Sequence, residues 1–143
     1  MFLGEYQYNL DAKKRVAIPA KFRSDVGKKV VVTRGLDSCL FVFTQNEWKK
    51  LADKLGALPL GQKDARGFSR LMLAGAMEAA VDRLGRILIP DYLKEYASLK
   101  KQVVVAGVYN RLEIWDFKNW NIYKQKSERD AGNMAERLGE LGV

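Results

Sequence analysis

The chain contains no histidine and a single cysteine, Cys39, among its 143 residues. Those two shortages exclude Ser-His-Asp and Cys-His catalysis, histidine-ligated metals, zinc knuckles and any internal disulfide. No stretch approaches ~20 uninterrupted apolar residues, the length of an ordinary membrane-spanning helix. The first residues, MFLGEYQYNLD, carry Glu5 and Asp11 and lack a basic-then-apolar leader pattern, so a cytoplasmic chain is expected. Glycine-rich phosphate loops and metal-ligand spacings are missing as well, and neither cofactor nor metal is expected. Acidic residues are also in deficit, 17 against 25 lysines and arginines, a formal net charge of +8. The remainder, 48% hydrophobic and 29% charged, is the composition of a folded domain.

The basic excess suits a polyanionic partner such as nucleic acid, and it is unevenly placed. Residues 1–72 hold 14 basic and 7 acidic side chains, whereas residues 73–143 hold 11 and 10. The cations crowd around Lys13, Lys14, Arg15, Lys21, Arg23, Lys28 and Lys29.

An internal repeat organises the chain. The segment NLDAKKRVAIP (Asn9–Pro19) lies against AVDRLGRILIP (Ala80–Pro90), placing Asp82 71 residues after Asp11. Val30–Val32 then matches Val103–Val105, Leu40–Phe43 matches Leu112–Trp115, and Trp48 matches Trp120. Small drifts in the offset imply indels in turns. In each copy a first strand (Tyr6–Leu10; Met77–Val81) enters an Asp-x-x-x-Arg turn and a second strand follows (Arg15–Ile18; Arg86–Ile89). Proline then opens a short helix (Pro19–Asp25; Pro90–Tyr96), since its fixed φ and missing N–H fit a first helical turn. Gly27 stands where a left-handed cap would end the first of these. A hairpin completes each copy (Lys29–Thr33 with Cys39–Phe43; Gln102–Ala106 with Leu112–Trp115). A ββαββ unit of about 45 residues cannot bury a core alone, so two must share one core or pair with another chain.

The remaining segments are helical. Thr44 and Glu47 form a capping box, and Trp48, Leu51, Ala52 and Leu55 recur at helical spacing. Lys63–Ala76 reads as a second helix with Phe68, Leu71, Met72 and Ala76 on one face, weakened at its end by Gly75. Trp120 and Tyr123 begin a last helix. In its charged continuation Met134, Leu138 and Leu141 keep helical spacing and could lie against a neighbour. The organisation expected is repeat 1 at 4–48, connecting helices at 49–75, repeat 2 at 76–120 and a C-terminal helical segment at 121–143.

The chemistry concentrates in the two turns. For one isolated copy, Asp11 with Arg15 is read most simply as an ion pair fixing a loop. The duplicate pair Asp82 and Arg86, with Lys13, Lys14 and Arg83 nearby, adds a second reading. A strand end bearing two or three cations offers phosphate contacts, and a guanidinium fork can read guanine O6 and N7 in a major groove. Lys13, Lys14, Arg15, Arg83 and Arg86 are therefore the candidate nucleic-acid contacts, and Asp11 and Asp82 the residues that shape the loops. A carboxylate pair between the two aspartates is not expected, because each has an arginine beside it. The second loop is chemically weaker, with Leu84 and Gly85 in place of Lys13 and Lys14. Gly85 suggests a left-handed backbone, which Lys14 would have to adopt with strain. Lys21, Arg23, Lys28 and Lys29 either extend the basic surface or simply face solvent. Cys39 reads as a buried small hydrophobe, and Trp48, Trp115 and Trp120 as core or interface anchors.

The strings LDAKKRVAIPAKFR, VTRGLDSCLFVF, VDRLGRILIP and LEIWD, after an opening MFLG, resemble the MraZ family of bacterial transcriptional regulators. The resemblance runs from Leu3 to about Arg137, and the doubled Asp-x-x-x-Arg is its specific mark. It implies an α+β, mainly β fold: two ββαββ repeats interlocked as a single-chain swapped-hairpin barrel of the AbrB/SpoVT type, with flanking helices. It further implies a non-enzymatic repressor that assembles into a ring-like homo-oligomer. That repressor would bind double-stranded DNA at short direct repeats before its own gene and the division and cell-wall cluster, and so associate with the nucleoid. The positions matching the DNA contacts are the two turns, ending at Arg15 and Arg86, with Lys13 and Lys14 in the first. Leu84-Gly85 departs from a symmetric pattern and puts an equal role for both loops in question. Other readings stay open: a general nucleoid-coating or antitoxin-like member of the same group, or a scaffold whose basic loops hold an acidic protein.

Overall fold

The central strands are continuous apolar runs buried on both faces, and the order in which the strands pair shows how the repeats combine. The computed structural model describes residues 1–143. Repeat 1 supplies β1 (Phe2–Asn9), β2 (Arg15–Ala17), a 3-10 turn (Ala20–Phe22) running into α1 (Arg23–Val26), β3 (Lys29–Arg34) and β4 (Leu40–Thr44). Next come α2 (Gln45–Gly56), α3 (Lys63–Ser69) and a π-helical turn (Arg70–Ala74). Repeat 2 contributes β5 (Met77–Ala80), β6 (Arg86–Leu88), α4 (Asp91–Tyr96), β7 (Gln102–Tyr109) and β8 (Leu112–Asp116), followed by α5 (Phe117–Arg137) and a 3-10 turn (Gly139–Leu141).

Six strands form one antiparallel sheet in the order β1-β7-β8-β4-β3-β5, and β2 pairs with β6 in a separate two-stranded ribbon. Exchanging the repeats reverses this order onto itself, so the architecture has a pseudo-twofold axis. The first strand of each repeat hydrogen-bonds to the other repeat's hairpin: β1 to β7, β5 to β3. This is the swapped-hairpin topology. The expected barrel is not confirmed, because β1 and β5 remain separate edges and the ladder does not close.

The main core shows why neither repeat stands alone. Of its 20 buried residues, ten come from Phe2 to Val42 and ten from Ala79 to Ile114. Val16 and Ile87 face one another across the ribbon and are 1% and 0% exposed, so they anchor the ribbon to the sheet. Truncating either to alanine is expected to cost about 1–4 kcal/mol. A smaller cluster on the opposite sheet face joins Cys39, Phe41, Phe43, Leu55, Met72 and Trp115, with Trp48 and Trp120 packed against it. Cys39 is fully buried there, and desolvation pushes its thiol far above the ordinary range. The tryptophans thus anchor the core and are not displayed.

Local departures from the sequence expectations have identifiable causes. The first strand starts at Phe2 instead of Tyr6, since its whole length finds a partner in β7. The 63–76 segment is not one α-helix. It ends as such at Ser69, and of its four expected apolar-face residues only Met72 is buried. The π-helical turn leaves carbonyls free, and distant side chains take them: Thr33 Oγ1 donates to Met72 O at 2.6 Å, Arg34 Nη1 to Leu71 O at 3.2 Å, and the Tyr92 hydroxyl to Gly75 O at 2.9 Å. Gly27 has φ +70° but ψ −151°, so it ends α1 outside the left-handed helical region expected for a cap. The Thr44 cap holds, its Oγ1 accepting from the Glu47 N–H at 3.2 Å, while the Glu47 carboxylate turns to Lys50. The final helix starts at Phe117, three residues before Trp120, because Asp116 caps it by accepting from the Asn119 N–H at 3.2 Å. It buries no residue fully; Lys124 ties it to Glu5 of β1.

Candidate nucleic-acid interface

Each Asp-x-x-x-Arg segment folds into the same turn. The Asp11 N–H donates to Arg15 O at 3.0 Å and the Lys14 N–H to Asp11 O at 2.9 Å. The Asp11 carboxylate then organises the interior. Its Oδ1 accepts the Lys13 and Arg15 backbone N–H groups, and its Oδ2 accepts Arg15 Nε, all at 2.9 Å. In the second loop Asp82 makes the equivalent bonds to Leu84, Arg86 and Arg86 Nε, again all at 2.9 Å. Each is a tight turn followed by a positive-φ residue, the hairpin geometry that favours glycine there. Gly85 supplies it at φ +76°, whereas Lys14 adopts φ +62° in the first loop.

The ribbon sets the loops side by side. Arg15 opposes Leu88, and Arg86 opposes Ala17. With Val16 and Ile87 turned inward, strand alternation puts both arginines on the outer face. The two ion pairs meet there: Arg15 Nη1 lies 3.9 Å from Asp82, and Arg86 Nη1 3.6 Å from Asp11. The aspartates therefore do not pair with each other; each is shared by both arginines. The four formal charges cancel, and the side chains are roughly one-third exposed. For Asp11 the Arg15 backbone N–H does most to hold the carboxyl below its ordinary value, against partial burial. The Arg86 N–H does the same for Asp82.

The positive potential consequently comes from the surroundings. Lys13 and Arg83 are exposed and make no ion pair. Lys14 is engaged: its Nζ binds Asp91 at the start of α4 and lowers that carboxyl's pKa. On the other half Arg23 fills the equivalent space. Its Nε donates to Ile18 O at 3.1 Å, and a Cβ on Gly85 would stand 2.1 Å from that Nε. Lys21 rests over the Tyr6 and Phe22 rings at 5.5 and 5.3 Å, while Lys28 and Lys29 are solvent-exposed. Sequence reasoning missed Asp91 and the covering role of Arg23. The signal lay in the repeat alignment, where Asp91 replaces Ala20 and Lys94 replaces Arg23.

Comparison of the sequence with known proteins identifies its family. A family profile described as "MraZ protein, putative antitoxin-like" matches twice, at residues 1–71 and 72–140. Proteins named "Transcriptional regulator MraZ" are 48% identical in Natranaerobius thermophilus and 49% in Halothermothrix orenii, each covering all of both chains. One from Carboxydothermus hydrogenoformans is 50% identical over 96% of each chain. No helix here is long and apolar enough to cross a membrane. With both repeats matched and relatives aligned end to end, the chain belongs to the MraZ family of transcriptional regulators.

Proposed function

We propose that the chain is a sequence-specific DNA-binding repressor that lays its β2–β6 ribbon in the major groove. The observation that carries this is the pair of Asp-x-x-x-Arg turns joined through shared ion pairs on one outer face. A two-stranded ribbon fits the ~12 Å major groove. Arg15 and Arg86, held at Nε, keep Nη groups without a hydrogen bond inside the chain and can direct them at guanine edges. Lys13 and Arg83 contact phosphates; Lys14 joins them when it exchanges Asp91 for the backbone. Asp11 and Asp82 shape the loops and neutralise each other's arginines until DNA arrives.

The targets are short direct repeats in the promoter ahead of the chain's own gene and the division and cell-wall cluster, with the protein associated with the nucleoid. One ribbon makes few phosphate contacts and binds weakly at physiological salt. A ring-like homo-oligomer presenting several ribbons on one rim makes the later contacts intramolecular and gains affinity through effective concentration. Ile122 on α5, and Leu138 and Leu141 just beyond its end, are exposed and leave apolar surface for a neighbouring subunit. Direct repeats meet rotationally related subunits only if the ring or the DNA deforms.

Footprinting the purified protein on DNA upstream of its own gene tests the proposal. Protection of repeated sites in one orientation, with affinity well above that for random duplex at the same salt, is expected. Equal affinity for random duplex would favour general nucleoid coating. Capture of an acidic protein with no DNA bound would favour a scaffold.

A further inference from the structure

The two halves of the ribbon share a backbone and differ in chemistry. The pseudo-twofold axis exchanges Ala17 with Leu88 and Lys13 with Leu84. Leu84 is 63% exposed at the tip of the second loop, and Leu88 is 50% exposed on the outer face of β6. Single exposed leucines are ordinary. These two flank Arg86, one on either side of it in sequence, beside the exposed Arg83. No other part of the chain covers them. The matching positions around Arg15 are Lys13 and Ala17, so the β2 row of the outer face reads Lys13-Arg15-Ala17 and the antiparallel β6 row Leu84-Arg86-Leu88, with Leu88 opposite Arg15 and Ala17 opposite Arg86.

The major groove offers one apolar group, the thymine C5-methyl. A leucine against it buries hydrocarbon on both sides. The same leucine against a cytosine amino group or a guanine O6 removes a polar atom from water and gives it no partner. We propose that Leu84 and Leu88 read thymine methyl groups in the groove, Leu84 from the tip of the second loop and Leu88 from its place opposite Arg15. This inference rests on the DNA-binding reading above and adds to it a base class and the two residues that select it.

The test removes the methyl group and the leucines separately. Duplexes bound by the wild-type protein are recovered from a random pool, and each thymine of the recovered site is replaced in turn by deoxyuridine, which lacks only that methyl. Affinities are measured for wild type and for the double variant Leu84→Ala, Leu88→Ala. Both leucines are exposed, so the variant keeps its fold; an unchanged circular dichroism spectrum and thermal midpoint are the check. The expected result is one or two thymines of the recovered site at which deoxyuridine weakens the wild type about three- to fivefold. At those positions the variant loses nothing further, as a shared contact requires. Equal deoxyuridine penalties for both proteins would overturn the inference while leaving DNA reading intact. Failure to enrich any duplex would overturn both.

Discussion

The Asp11–Arg15 and Asp82–Arg86 loops make matching hydrogen bonds, all of 2.9 to 3.0 Å, through quite different residues. Between the outer pair stand Ala12-Lys13-Lys14 in one and Arg83-Leu84-Gly85 in the other. The aspartate and arginine alone therefore determine the turn. The three residues between are free to carry recognition, provided the third tolerates positive φ. Where that residue is lysine, its side chain must be accommodated, and Asp91 accepts it. Where it is glycine, the vacant space is filled from the other repeat by Arg23. A strict backbone repeat thus holds an asymmetric surface.

The sharpest way to break the comparison is to remove the forks one at a time. Arginine-to-alanine would leave a bare aspartate on the proposed DNA-binding face and confuse two effects. Arg15→Lys and Arg86→Lys keep the charge and lose the planar fork. Each should lower affinity for the recovered site about 10- to 100-fold, with random-duplex affinity nearly unchanged. Because each arginine also contacts the other loop's aspartate, the two losses should agree within about threefold. Fluorescence anisotropy at fixed salt measures them. A loss confined to Arg15→Lys would show that the second loop does not read bases.

Next comes the backbone. Gly85→Ala places a Cβ at φ +76° and against Arg23, and should destabilise the fold by about 1–2 kcal/mol. Lys14→Gly relieves the same strain in the first loop, but loses a surface ion pair and frees the unfolded chain, so its net effect should stay within about 0.5 kcal/mol of zero. Urea denaturation of both variants decides this. Equal destabilisation would mean that the lysine's contacts, and not its backbone, define the loop.

The repeat, the strand pairing within hairpins and the turn chemistry were legible because apolar runs bounded by turn residues, Asp-x-x-x-Arg and proline act locally. Even the strain at Lys14 could be read, by laying it against Gly85. The contacts between copies could not. Whether Arg15 reaches Asp82 depends on the β2–β6 register, and no residue in either strand encodes its partner's position. The π-helical turn was hidden for a similar reason. Arg70–Ala74 has helical spacing, and what alters it are Thr33, Arg34 and Tyr92, which lie far away in sequence. The missing barrel closure likewise belongs to sheet geometry and not to any motif.

A smaller effect separates the loops by charge. Lys13 is exposed and unpaired, so Lys13→Ala should weaken binding to all duplexes alike and reduce the slope of log affinity against log salt by about one. Leu84→Ala should leave that slope unchanged. Titrations at three salt concentrations make the distinction. An identical slope change in both variants would erase the chemical difference between the tips.

The smallest expected effect lies at acid pH. Asp11 and Asp82 have folded-state pKa values below the ordinary 3.8, because backbone N–H groups and arginines favour their charged forms. A depressed carboxyl stabilises the fold fully above its unfolded value and loses that contribution as pH falls through the folded value, so the window lies below about pH 4. Both loops share this. The first has one carboxylate more, since Lys14 lowers Asp91, whereas its counterpart in repeat 1 is Ala20. Asp11→Asn and Asp82→Asn should therefore flatten the acid limb of stability equally. Asp91→Asn should flatten it further by a lesser amount, and only while Lys14 is present. Thermal midpoints of the single variants and of Asp91→Asn in a Lys14→Gly background, followed from about pH 2 to pH 6, give the comparison. If Asp91→Asn shifts the acid limb as much in that background as alone, the pair with Lys14 contributes nothing, and the two loops differ only in what they present to DNA.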